Sequence, residues 1–190
     1  MHAIYLYLFP AIWLAYILYW QFMARNVKQA VRTEPGASRL LRFVLMIASM
    51  MLLVSPVPML PFLNRRILLH GVVCFWCGAV VTVAGLLFGV WARRQLGRNW
   101  SREVTVMQDH RLITTGPYAF VRHPIYTGLL LALFGSAIAV DRGRGFLAVV
   151  LVFLALWRKL RLEEQWMRAQ FGQAYADYSR RVAALVPYIF

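Results

Sequence analysis

Acidic side chains are scarce in this chain: seven Asp and Glu stand among 190 residues, against 21 Lys and Arg. Charge of either sign is also thin, at 15% of residues, while 61% are apolar. Soluble globular domains carry about 25% charged residues, so an ordinary water-soluble fold is excluded. Cysteine is nearly absent, which excludes a disulfide framework. The only two, Cys74 and Cys77, have a CxxC spacing but sit inside an apolar run without two further ligands. They read as buried, inert thiols rather than a zinc or redox pair, and no metal site is expected. No G-x-G-x-x-G follows a strand-like run, so a soluble dinucleotide-type domain is not indicated. Internal repeats and low-complexity tracts are likewise missing.

What is present is long apolar sequence. Ala3 to Met23, Phe43 to Leu63 and Ile67 to Ala92 contain no Asp, Glu, Lys or Arg. Each has the roughly 20 residues that a helix needs to cross about 30 Å of hydrocarbon. The first lacks a basic residue before it, and Gln21 to Ala24 form no small-residue cleavage site, so it is predicted as a helix and not a leader. Pro56, Pro58 and Pro61 end the second helix, predicting that helices two and three form a tight antiparallel pair. Two further runs, Pro124 to Val140 and Phe146 to Trp157, flank the polar loop Asp141 to Gly145 and are predicted as a helical hairpin.

The expectation is an all-α integral membrane protein of about five transmembrane helices, folded as a single domain. Residues 1–92 hold helices one to three. Residues 93–190 hold a cytosolic loop, helices four and five and C-terminal amphipathic helices that together form the catalytic region. The net charge of +14 would suit a nucleic acid, but its distribution refuses that partner. With the N-terminus outside, only Arg65, Arg66, Arg142 and Arg144 fall on the outer side; the other basic residues face the cytosol, the C-terminus with them. That is the positive-inside bias, with membrane lipids as the partner, and a prokaryotic inner membrane is expected.

The uncharged part of helix five is about 12 residues, or about 18 Å, well short of the hydrocarbon thickness. Arg158, Lys159, Arg161, Glu163 and Glu164 are therefore expected to begin at membrane depth, facing a polar cavity. Snorkelling explains the bases alone equally well, and the two carboxylates less well. Upstream lies Gly116 to Tyr126, in which Pro124 is placed as the first residue of helix four. The helix start offers N–H groups to an anion, with Arg122 and His123 just before it and Tyr118 and Tyr126 beside it. Taken alone, that pattern serves either a ligand site or an interfacial cap of basic and tyrosine side chains. After helix five, Trp166, Phe171, Tyr175 and Tyr178 alternate with charges around a break at Gly172, as in helices that lie at a membrane surface.

The string GPYAFVRHPIYTG follows Leu96, Gly97 and Trp100 and the run DHRLITTGPY, and precedes Glu163, Glu164, Phe171, Gly172, Tyr175, Tyr178, Arg181, Val182 and Pro187. In this order the motifs resemble the isoprenylcysteine carboxyl methyltransferase family over residues 90–187. The resemblance implies a multi-span enzyme that binds S-adenosyl-L-methionine in a cytosolic pocket without a Rossmann domain. By motif position it implies cofactor contacts at Glu103, His110, Leu112, Ile113, Tyr118, His123, Pro124, Ile125, Tyr126 and Glu163. The family often has Gln where Glu103 stands, and Arg where Lys159 stands. The methyl acceptor is expected to be lipophilic, to enter from the bilayer and to be a carboxylate, which Lys159 or Arg158 would orient; an amine acceptor would call on Glu164 as base. Phospholipid amine or thiol methyltransferases and NADPH-dependent lipid reductases share an RHPxY-like helix start and remain alternatives, as does a non-enzymatic membrane adaptor. Nothing in the pattern fixes an oligomeric state.

Overall fold

The structure, a computed structural model, describes residues 2–23, 36–68, 71–97 and 112–187. Among the described residues six α-helices follow one another: α1 His2–Met23, α2 Gly36–Val54, α3 Gly71–Leu96, α4 Pro124–Val140, α5 Gly143–Phe171 and α6 Gln173–Arg181. Short 3-10 turns at Pro61–Asn64 and Gly116–Ala119 precede α3 and α4, and no strand occurs among the described residues. Among the described residues two helices, α2 and α3, are long and apolar enough to cross a membrane, while Tyr7–Met23 and Pro124–Val140 are shorter apolar helices. Only 11% of the apolar window of α2 is buried within the fold, so its Leu40, Phe43, Met46, Met50 and Val54 need an apolar solvent outside it.

The seam between α3 and α4 is made of small residues. A Cβ on Gly85 would lie 2.6 Å from Ala132 N and Gly128 O, and one on Gly135 would lie 2.5 Å from Thr82 N. Lipid tails are as apolar as leucine, so helices in a bilayer gain by letting backbones touch, and small side chains permit it. Polar groups lock the seam at mid-length: Thr82 Oγ1 donates to Ala132 O at 3.1 Å, and Trp13 Nε1 of α1 donates to Ser136 Oγ at 3.1 Å.

Helices two and three do not pair as the prolines suggested. α2 packs chiefly on α5 and α3 on α4, with Leu53 of α2 in one core with Leu133, Ala148, Val152 and Leu156. The cause lies at the end away from the N-terminus of α4, where the Arg144 guanidinium donates to the carbonyls of Leu52, Leu53 and Ser55 that α2 leaves free. Nearby, Asp141 caps α4 with φ 51°, and its Oδ1 accepts the Leu68 N–H at 2.7 Å. CxxC is not a buried pair either: Cys74 is half-buried and Cys77 is exposed on the outer face of α3.

α5 corrects a second expectation. It runs unbroken for 29 residues, so its charged band is mid-helix and the amphipathic stretch to Phe171 belongs to it. Glu163 stands 20 residues beyond Gly143 (163 − 143), which at 1.5 Å per residue is about 30 Å, one hydrocarbon thickness. Gly172, with φ 52°, breaks the helix as expected, and α6 folds back against α5.

Candidate active site

The end of α4, the middle of α5 and α6 converge on His123. Its Nε2 lies 3.0 Å from Glu164 Oε1 and its Nδ1 lies 3.4 Å from Glu163 Oε2. Consecutive positions on α5 diverge by about 100°, so two adjacent glutamates can straddle one ring only if that ring enters between them. Pro124 makes this possible by starting α4 directly after His123, which holds φ −122° and ψ 60° and is itself non-helical.

The two carboxylates differ in surroundings. Glu164, with a 9% exposed side chain, receives three donors on Oε1: Arg122 Nε at 2.8 Å, Tyr175 Oη at 2.8 Å and His123 Nε2. Burial alone would raise its pKa, but the hydrogen bonds from His123, Arg122 and Tyr175 outweigh it and bring the group to about 2. A carboxylate so weakly basic is an anchor; the general-base role expected for an amine acceptor does not suit it. Glu163 is the more exposed of the two carboxylates, at 22%. Its Oε1 accepts the Tyr126 hydroxyl at 2.5 Å and lies 3.7 Å from Lys159 Nζ. Burial pushes the Glu163 carboxyl up, yet Lys159, His123 and Tyr126 hold it below the usual carboxylate range. His123 shows the mirror image: burial lowers it, and the two glutamates raise it above the ordinary imidazole value.

These shifts fix a pH window. Glu164 is depressed on folding, so it stabilises the fold above its unfolded value of about 4.3 and loses that contribution as pH falls through its folded value. His123 is raised, so it stabilises below about 6.5 and loses its contribution as pH rises through its folded value. Thermal unfolding in detergent is therefore expected to weaken from about pH 5 to about pH 2.5, and Glu164→Gln is expected to flatten that acid slope. An unchanged slope in the variant would remove Glu164 from this role.

Around the ionic core lie aromatic rings. His123 and Tyr126 stack with centroids 5.5 Å apart and planes 1° from parallel, and Lys159 Nζ sits 5.3 Å from the Tyr126 ring centre. Tyr118 is buried, and its carbonyl accepts the Tyr178 hydroxyl at 2.6 Å. Burial, then the Glu163 charge, hold the Tyr118 hydroxyl far above an ordinary phenol, so it is neutral. The charge of Arg42 on α2 acts electrostatically on Tyr126.

Of the residues implied by sequence, His123, Tyr126, Lys159, Glu163 and Glu164 are gathered into one cluster, with Tyr118 beside it. Leu112 and Ile113 are half-buried in the run before Gly116, which Gln95 Nε2 ties to α3 through Thr115 Oγ1 at 3.0 Å. Ile125 is half-buried; Pro124 is fully buried and serves the fold. Arg158 is exposed and is not brought to the cluster, since it points about 100° away from Lys159 on α5. Glu103 and His110 lie outside the described residues. The free N–H groups expected at the start of α4 are largely used: Tyr126 and Thr127 donate to His123 O, the His123 N–H donates to Ala184 O, and Pro124 has none. A ligand anion would meet the His123 side chain instead. Sequence reasoning missed Tyr175 as a partner of Glu164 and the electrostatic effect of Arg42 on Tyr126. For Tyr175 the signal was its place eleven residues after Glu164 across the Gly172 break; for Arg42 there was none.

A family model described as phospholipid methyltransferase matches residues 73–174, which span α3 to the start of α6 and contain the whole Glu–His–Glu cluster. The chain belongs to that family. The chain is 24% identical over 164 residues to protein-S-isoprenylcysteine O-methyltransferase B of Arabidopsis thaliana, covering 81% of this chain and 82% of the relative. A protein-S-isoprenylcysteine O-methyltransferase of Schizosaccharomyces pombe is 32% identical over 101 residues, covering 50% of this chain and 42% of that protein. The solved structure of a eukaryotic intramembrane Ras methyltransferase, an isoprenylcysteine carboxyl methyltransferase, superposes with a TM-score of 0.57 at 22% identity, over 84% of this chain and 55% of that one. The chain thus spans little more than half the length of that structure, and the likeness is one of fold. The resemblance read from residues 90–187 is borne out by the family model, which overlaps that segment, and by the isoprenylcysteine O-methyltransferases among the chain's relatives.

Proposed function

We propose that this family member transfers the methyl group of S-adenosyl-L-methionine to a lipophilic or lipid-attached carboxylate at the cytosolic face of a membrane. The observation that carries the reading is His123 clamped between two carboxylates, one more exposed and one anchored, at the apolar-to-polar boundary of α5. The donor set fits the amino-acid end of the cofactor: the Glu163 anion suits an ammonium, and the His123 imidazolium suits a carboxylate. Leu112, Ile113, Tyr118 and Ile125, with Glu103 and His110, are proposed to complete the cofactor site. When bound, the cofactor supplies a sulfonium-activated methyl. The chain's own part is to bind, align and exclude water, since in-line transfer depends on near-attack placement in a dry pocket. A carboxylate acceptor is already an anion at neutral pH, and Lys159, held at the Tyr126 ring, is proposed to orient it.

The exposed apolar faces of α2 and α3 support entry of the acceptor from the bilayer, with α4 and the first half of α5 as a further membrane hairpin and about five spans in all. The proposed topology has the N-terminus outside and the site on the C-terminal, cytosolic side. A phospholipid amine is the second reading, favoured by the family description. Calorimetric titration of the purified protein with S-adenosylhomocysteine tests the donor; absence of binding up to about millimolar concentration would remove it. A labelled-methyl assay with prenyl-cysteine, phospholipid and small-thiol acceptors then separates the acceptor classes, and transfer to the amine lipid alone would overturn the carboxylate.

A further inference from the structure

Next to His123, the Arg122 side chain is gripped from three directions. Its Nε donates to Glu164 Oε1 at 2.8 Å, and its Nη1 donates to Ser179 O at 3.1 Å and to Val182 O. The chain after α6 runs alongside: the Arg122 N–H donates to Ala183 O at 2.8 Å, the His123 N–H to Ala184 O at 3.0 Å, and Thr127 Oγ1 to Leu185 O at 2.7 Å. Residues 182–185 therefore form a strap along the start of α4, and its carbonyls leave the planar guanidinium one orientation, toward Glu164.

The oxygen that Arg122 reaches is the one His123 uses. Three donors share Glu164 Oε1, and a carboxylate that spends its charge on a guanidinium and a phenol has less left for an imidazole. No other charged group takes that place among the described residues. α5 turns Glu163 and Glu164 toward the ring, with Lys159 behind Glu163 and the exposed Arg168 at 3.9 Å from the other Glu164 oxygen. α6 presents the phenols of Tyr175 and Tyr178, α2 carries Arg42, whose charge acts on Tyr126, and the 3-10 turn before α4 presents Tyr118. The strap, Val182 to Leu185, carries no charge.

We propose that Arg122, fixed by the C-terminal strap and assisted by Tyr175, is a positioning residue that acts through Glu164 to limit how tightly His123 holds its second proton. It thereby sets the pH up to which the imidazolium is available to an anionic ligand group. The use made of that imidazolium rests on the cofactor reading above; the effect on His123 does not.

Histidine titration by NMR in the full-length protein, labelled with 15N-histidine, reads the effect directly. The chain has four histidines, and Glu or Gln at none of the others is needed, because the spectrum of His123→Gln assigns the resonance. Arg122→Gln is expected to move the His123 midpoint upward by about one pH unit, a tenfold change in proton affinity. Tyr175→Phe, which removes one neutral donor, is expected to move it upward by less, and Arg122→Lys, which keeps the charge but loses the fork, to fall between wild type and Arg122→Gln. A merely structural role would leave the midpoint unmoved or let it drop toward about 6.5 as the ring becomes exposed, and either result overturns the proposal. Should Arg122→Gln not fold, Tyr175→Phe decides by the same sign. S-adenosylhomocysteine affinity measured against pH should lose its alkaline limb in the same order as the midpoints. If that probe fails to bind wild type at any pH, the cofactor reading falls while the midpoints still judge Arg122; if it binds and the midpoints stay put, only the role of Arg122 falls.

Discussion

Replacing Glu163 with glutamine is expected to lower both S-adenosylhomocysteine affinity and methyl transfer by at least about 30-fold, a loss of about 2–5 kcal/mol of the kind seen when one partner of a buried charge pair is removed. Glutamine has nearly the shape of glutamate, so the packing of α5 survives. Only the charge goes. Oε1 of Glu163 accepts from Tyr126 and faces Lys159 at 3.7 Å, while Oε2 faces His123 at 3.4 Å. Without the anion, two cations are left facing one another across a half-buried site, and a ligand ammonium would add a third. Because Glu163 is the more exposed and Glu164 is anchored, the two substitutions should also differ in stability. Glu163→Gln should lower thermal unfolding by less than Glu164→Gln, which releases Arg122, His123 and Tyr175 together. Titration calorimetry beside thermal unfolding separates the two; ligand affinity for Glu163→Gln within about threefold of wild type would remove Glu163 from the binding site.

A single methyl group at the α3–α4 seam is expected to be the most damaging change to the fold. Gly85→Ala would place a Cβ 2.6 Å from backbone atoms of Gly128 and Ala132, and Gly135→Ala one 2.5 Å from Thr82 N. Backbone atoms cannot rotate aside as a side-chain end can, so the helices must part along their length. Overpacking costs about 1–3 kcal/mol, and these positions belong at the upper end. The propensity gain of about 1 kcal/mol from replacing glycine within a helix offsets only part of that. Gly36→Ala is the control, because nothing lies within 4 Å of its Cβ. Unfolding in a denaturing detergent series should show both seam variants destabilised and the control unchanged or improved; equal stability of all three would mean that the seam is looser than described. Since α4 carries Tyr126 and starts directly after His123, loss of the seam should also abolish ligand binding.

The site was legible in the sequence where its residues lie on one short motif. Arg122, His123, Pro124 and Tyr126 stand within five positions, and a proline after a histidine already says that the histidine caps a helix. Glu163 and Glu164 were legible for another reason, as adjacent carboxylates in a chain with few acids and next to an apolar run. The strap along α4 and the influence of Arg42 were not legible, because each depends on a backbone path that no local pattern encodes. The length of helix five was misread similarly: counting uncharged residues from Phe146 ignored Arg144, whose charge is spent on the carbonyls at the end of α2, so the helix begins earlier and is longer.

Composition alone determined the solvent and the secondary structure of this protein. Runs of twenty apolar residues have to hydrogen-bond their own backbones wherever water is missing, and only helices do that within one segment. Pairing of the helices was decided in three dimensions. Whether α3 lies on α2 or on α4 depends on glycines that fall on facing sides 50 residues apart, as Gly85 and Gly135 do, and on Arg144 finding the open end of a helix about 90 residues earlier. Contacts of that separation are chosen by close packing and by the cost of leaving buried polar groups unpaired, and neither quantity exists until the whole chain has folded.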